Sequence, residues 1–192
     1  YRLMHKHKNV SPTFYQSGFI GRDAELKKLE ASCQLLKEGK FAGVSYIYGD
    51  AGQGKSRLVY ELEQKLSETV KFFYLQTDSI HKTSLNPFSY WIRQQFTSSP
   101  TGSIVTRIED FRKIWADFVD KVRALPDSGE ISRELERIES VIAGLIGLEW
   151  EGSIYANLEP KYKPAVTGFA LKSLLEAYCL FKPVILVIED LQ

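Results

Sequence analysis

The sequence predicts an α/β fold: a parallel sheet, about three strands of it present, with a helical insertion between the second strand and an acid-tipped third. Three observations lead there. The glycine-rich stretch Gly49-Asp50-Ala51-Gly52-Gln53-Gly54-Lys55-Ser56 follows a β-rich run, residues 41–48, and precedes Leu58, Val59, Leu62 and Leu66 at helical spacing. Residues 184–188 are five consecutive apolar residues that end in Glu189 and Asp190, the pattern of a strand buried on both faces. Between these landmarks, residues 86–181 carry apolar stripes of helical period.

Taken in order, residues 1–18 hold Arg2, His5, Lys6, His7, Lys8 and Pro12 with little periodicity and read as a linker, the tail of a preceding domain. His5 and His7 have no acidic or cysteine partner nearby, which makes a solvated basic segment the better reading than a metal site. Gly21 then allows a turn, Asp23 can cap a helix, and Leu26, Leu29, Cys33 and Leu36 form one stripe that Gly39 ends. Residues 41–48 read as the first strand and 70–75 as the second, with Thr77-Asp78-Ser79 at its carboxyl end. Pro87 opens a helix bearing Phe88, Trp91, Ile92 and Phe96; the stripe from Ile104 to Leu125 marks the next, stopped near Pro126. A third stripe runs from Ile131 to Leu145, with Arg133, Glu134, Glu136 and Arg137 outward. Residues 148–163 read as irregular, and a last helix reaches about Phe181. The aromatic residues of this section have the spacing of a buried face in surroundings that are not basic, so they predict core rather than a base-stacking platform.

The loop 49–56 fits G-x-x-x-x-G-K-[ST] at every fixed position. With glycine near 7% of residues, the fixed positions coincide by chance on the order of once in tens of thousands of windows. Glycines let successive main-chain N–H groups turn inward on a phosphate, Lys55 reaches the terminal phosphates, and the Ser56 hydroxyl can ligate Mg²⁺. The helix that starts here adds its positive end. An acid-tipped strand is a weak signal alone. Paired with this loop it supplies what a Mg·ATP site needs: one acid for the metal's water shell and one to orient attacking water.

Composition narrows the function classes. A hydrophobic share of 44% and a charged share of 26% describe an ordinary globular chain, and 192 residues suffice for one good core. A net charge of +1 sets up no field to draw nucleic acid or an anionic membrane. No apolar run is long enough to span a bilayer and no secretory signal is present, so we expect a cytoplasmic protein. Cys33 and Cys179, far apart and each in a predicted helix, read as buried thiols. A start at Tyr1 and a stop at Gln192 directly after a strand lead us to expect a fragment of a longer polypeptide.

Three features together, residues 19–26, the loop 49–56 with Arg57-Leu58, and residues 184–192, make the chain resemble the AAA-related signal-transduction ATPases with numerous domains (STAND). The resemblance spans residues 19–192 and implies the three-layer α/β/α core of P-loop NTPases, ending at the Walker B strand. It implies that Gly21 and Arg22 lie near adenine and ribose, and that Gly49, Asp50, Ala51, Gly52, Gln53, Gly54, Lys55, Ser56 and Arg57 surround the phosphates. Ser56 and Glu189 would hold Mg²⁺, with Lys55, Glu189 and Asp190 catalytic. The group usually places Asp first in its acidic pair, whereas here Glu189 precedes Asp190; the longer side chain would meet Mg²⁺ through water. The opening Tyr1-Arg2-Leu3 and basic linker are also similar to the join after a class III nucleotide cyclase domain. In the group, a sensor strand lies between the loop strand and the acidic strand. Residues 42–48 and 184–189 would then have an open slot between them, whereas a kinase-like order would set them side by side.

The function expected is an ATP-binding, slowly hydrolysing ATPase domain that switches neighbouring domains of a signalling or transcriptional regulator and oligomerises on binding ATP. Sensor, lid and effector parts would be its partners, with no membrane and no direct nucleic-acid contact. The alternatives are a non-hydrolysing nucleotide-binding module, a small-molecule phosphotransferase with its acceptor pocket in the helical insertion, and a DNA-associated ATPase. Near-neutral charge disfavours the last.

Overall fold

Gly21, at φ 89°, turns the chain into α1 (Asp23–Ser32), whose first turn carries Asp23 and Glu25 against the positive helix end. Asp23 therefore lies inside the helix instead of capping it. Arg22 is the N-cap residue and makes no side-chain cap. The stripe expected as one helix is split at Cys33, and α2 (Gln34–Lys37) follows. Gly39, at φ 68°, donates to Leu36 O at 3.1 Å and Lys40 donates to Leu35 O at 3.0 Å, so α2 ends in a Schellman turn that only a left-handed residue completes. α3 (Lys55–Leu66) buries Leu58 and Leu62, one turn apart. α1 packs on α3, and an ion pair joins Glu30 to Lys65.

The structure, a computed structural model, describes residues 20–76, 85–98 and 102–189. The predicted linker, Phe19, Thr77-Asp78-Ser79 and Asp190 lie outside the described residues. The chain divides into two compact units, residues 1–68 and 69–192.

In the first unit, residues 41–48 form no strand, contrary to the β-rich reading. A strand is stabilised by hydrogen bonding to a neighbour, and the described ladder uses two other segments. Phe41 and Tyr48 are left 81% and 90% exposed, with Val44 and Tyr46 also largely in solvent.

The second unit carries that ladder. β1 (Lys71–Gln76) pairs in parallel with β2 (Val184–Glu189), from Lys71 opposite Val184 to Gln76 opposite Glu189. The sheet thus has two strands among the described residues, where about three were expected. β2 is only partly buried, with Ile188 exposed, rather than covered on both faces: covering a face takes packed helices, and among the described residues α8 packs against it.

Between the strands come α4 (Asn86–Phe96), α5 (Ile104–Arg123), α6 (Gly129–Leu145), α7 (Ile154–Asn157) and α8 (Lys163–Cys179). Pro87 sits in the first turn of α4, where its missing N–H costs nothing. Ser103 Oγ caps α5 by accepting from Thr106 N at 3.2 Å. The segment read as irregular contains the short α7, capped by Ser153 Oγ.

The aromatic stripes are the core of this unit, as the spacing predicts. Phe73 of β1 meets Trp91 of α4 at 4.8 Å between ring centres, and Phe96 meets Trp115 of α5 at 5.0 Å. Leu135, Ile142 and Leu174 complete the interior from α6 and α8. The end of α6 is tied to α4: Ser89 Oγ donates to Leu145 O at 3.0 Å and Arg93 Nη2 to Ile146 O at 3.1 Å, satisfying carbonyls that a helix end leaves open.

Both cysteines are free, Cys33 half-buried and Cys179 exposed, which corrects the expectation of buried thiols. Cys33 also lies between helices rather than within one.

Candidate functional site

The loop residues of the predicted site are contiguous and described throughout. Gly54, at φ 76°, is the N-cap of α3, so the loop delivers its last two residues, Lys55 and Ser56, straight into a first helical turn. No heavy atom lies within 4 Å of a Cβ built on Gly54, so glycine is required there by backbone conformation rather than by crowding.

Lys55 Nζ donates to Gly49 O at 2.8 Å and to Asp50 O at 2.9 Å, spanning the mouth of the loop and fixing its start to its end. Gln53 N donates to Asp50 O at 3.3 Å, closing a turn over residues 50–53. Gln53 Nε2 donates to Asp50 Oδ2 at 3.2 Å. Ala51, Gly52 and Ser56 are exposed, so the side of the loop that they occupy is open to a ligand.

Arg57 is engaged along α3 itself. Its Nη2 pairs with Glu61 Oε1 at 2.6 Å, and its guanidinium lies 5.5 Å over the Tyr60 ring. This i,i+4 pair, which the sequence reading did not name, engages the charge that the resemblance assigned to the phosphates.

Gly21 and Arg22 open α1, the helix that rests on α3. Arg22 Nε is 4.0 Å from Glu25 Oε1, a loose surface pair. Glu189 closes β2 in the second unit, opposite Gln76 and half-buried. The structure thus assembles Gly49 to Arg57 in one loop and helix start, and holds Glu189 at a strand tip within its own unit.

The residues present fit a polyphosphate. A single ammonium group spans a glycine loop at a helix N-terminus, and an exposed hydroxyl follows it in the first turn. Among the described residues no group of three or more His, Cys, Asp or Glu could hold a metal. A divalent ion here would draw on Ser56, phosphate oxygens and water, which is the usual habit of Mg²⁺.

The features that sequence reading missed are side-chain contacts inside the loop: Lys55 on two carbonyls and Gln53 on Asp50. Positions 50 and 53 are variable in the motif, so only the i,i+3 polar pair across a turn could have flagged them.

Among the described residues no helix is long and apolar enough to cross a membrane. A family model described as "AAA ATPase domain" matches residues 18–192. No curated protein and no solved structure matched the chain.

Proposed function

Because the chain belongs to the AAA ATPase domain family, with the P-loop α/β fold and nucleotide binding that membership carries, we propose that it is an ATP-binding, slowly hydrolysing switch domain of the STAND type. One observation supports this above the others: the Lys55 ammonium spans the glycine loop at the start of α3, 2.8 and 2.9 Å from two loop carbonyls.

In this reading Lys55 exchanges those carbonyls for phosphate oxygens and neutralises their charge, and α3 contributes its positive end. The Ser56 hydroxyl would hold Mg²⁺, which would supply charge neutralisation for the phosphates. Glu189 would meet the metal through water, and Asp190 would orient the attacking water. Gly21 and Arg22 face the base and sugar. Residues 19–192 form the N-terminal part of the ATP-binding domain and 1–18 a linker, in a cytoplasmic multidomain regulator whose neighbouring domains, a nucleotide cyclase among the candidates, read the nucleotide state.

The test is calorimetric titration with Mg·ATP. Replacing a charged hydrogen-bond partner of phosphate costs about ten- to a hundredfold in affinity, and Lys55→Ala is expected to lose that much. Unchanged affinity in Lys55→Ala would overturn the proposal.

A further inference from the structure

Two side chains of the loop are bound to each other. Gln53 Nε2 donates to Asp50 Oδ2 at 3.2 Å, while Gln53 N donates to Asp50 O at 3.3 Å, so the turn over 50–53 is closed twice. The other end of the same amide lies against Gly49, where a Cβ would stand 2.3 Å from Gln53 Oε1. Gly49 is at φ 146°, so a side chain there would be strained and would also push Gln53 off its partner.

Asp50 is the only acidic residue from Gly49 to Ser56. A loop built to receive anions therefore carries one carboxylate of its own, and that charge opposes any phosphate placed beside it. From these contacts we infer that Gln53 is a positioning residue: its amide ties the Asp50 carboxylate into the 50–53 turn and so limits the loop's own repulsion of phosphate. The inference rests on the reading of the loop as a phosphate site and adds a specificity consequence. Freed from Gln53, the carboxylate samples positions nearer the ligand, and the repulsion grows with ligand charge. Loss of the contact costs a nucleoside triphosphate more than a diphosphate, and salt reduces the difference.

The experiment titrates wild type, Gln53→Ala, Asp50→Asn and the double variant with ATP and with ADP, in Mg²⁺, at low and high salt. Interactions of exposed charges are modest, so Gln53→Ala is expected to weaken ATP binding about threefold to fivefold at low salt and ADP binding less. Asp50→Asn alone is expected to tighten ATP binding, and Gln53→Ala is expected to cost nothing further in the Asp50→Asn background, since no carboxylate remains to be tied off. A merely structural Gln53 would leave its defect in place in the double variant. That persistence, or wild-type ATP affinity in Gln53→Ala, overturns the inference while leaving the phosphate site standing. A wild-type chain that binds neither nucleotide overturns the phosphate reading itself.

Discussion

Glu139, on α6, is partly withdrawn from water, and burial pushes its carboxyl pKa upward against the opposing pull of Arg112, whose Nε lies 3.8 Å away. A raised folded-state value means that the native chain keeps this proton to higher pH than the unfolded chain does. Stability is then lost as pH climbs from the ordinary glutamate value to the raised one, and is level beyond it. Glu139→Gln removes this loss while Arg112 keeps its seat 4.3 Å over the Trp150 ring. Urea midpoints of variant and wild type, compared from about pH 4 to about pH 7, are expected to separate in the variant's favour through that window. Parallel curves would contradict it. At this scale the loop was the most legible part of the sequence, because phosphate chemistry fixes residue type at positions 49, 54, 55 and 56. Arg57 was legible only in half: its charge was plain, but its engagement with Glu61 depends on which face of α3 each occupies.

Gly144 shows why helices were easier to find than to explain. It sits in the last turn of α6, and a Cβ there would stand 2.2 Å from the Tyr155 ring. Helix propensity favours alanine over glycine by about 1 kcal/mol, whereas overpacking a tight contact costs about 1–3 kcal/mol. The ring also carries Lys163 Nζ 4.0 Å from its centre, a contact that any shift of the ring would disturb. Gly144→Ala is therefore expected to destabilise by on the order of 1 kcal/mol, with Tyr155→Ala in that background relieving the clash. A more stable Gly144→Ala, read from denaturant midpoints, would mean that propensity wins. The period of apolar residues located α4, α5 and α6 within a few residues, because each buries one stripe in a shared core, and Pro164 marked the start of α8. The same method failed at 41–48. β-propensity measures how well side chains suit a paired surface, and no described segment pairs there.

The two units divide the chain's observables unevenly. Trp91, Trp115 and Trp150 all belong to residues 69–192, as does most of the buried apolar interior, whereas the phosphate loop belongs to residues 1–68. Tryptophan emission during urea unfolding thus follows the helical unit. Lys55→Ala, at a partly exposed site in the first unit, is expected to leave that midpoint within about 0.5 kcal/mol of wild type. A larger shift would show that lost ATP binding in this variant reflects lost folding. Fold class was legible at this scale because loop, insertion and acidic strand come in a fixed order along the chain; strand number was not, since pairing depends on partners that periodicity does not name. The sheet also joins Lys71 to Val184 across more than a hundred intervening residues. At about 5–20 residues per second, a ribosome needs roughly 6 to 23 seconds to travel between them. During synthesis Phe72 and Phe73 wait that long without their strand neighbour, which makes the nascent chain, more than the finished one, the form that calls for a chaperone.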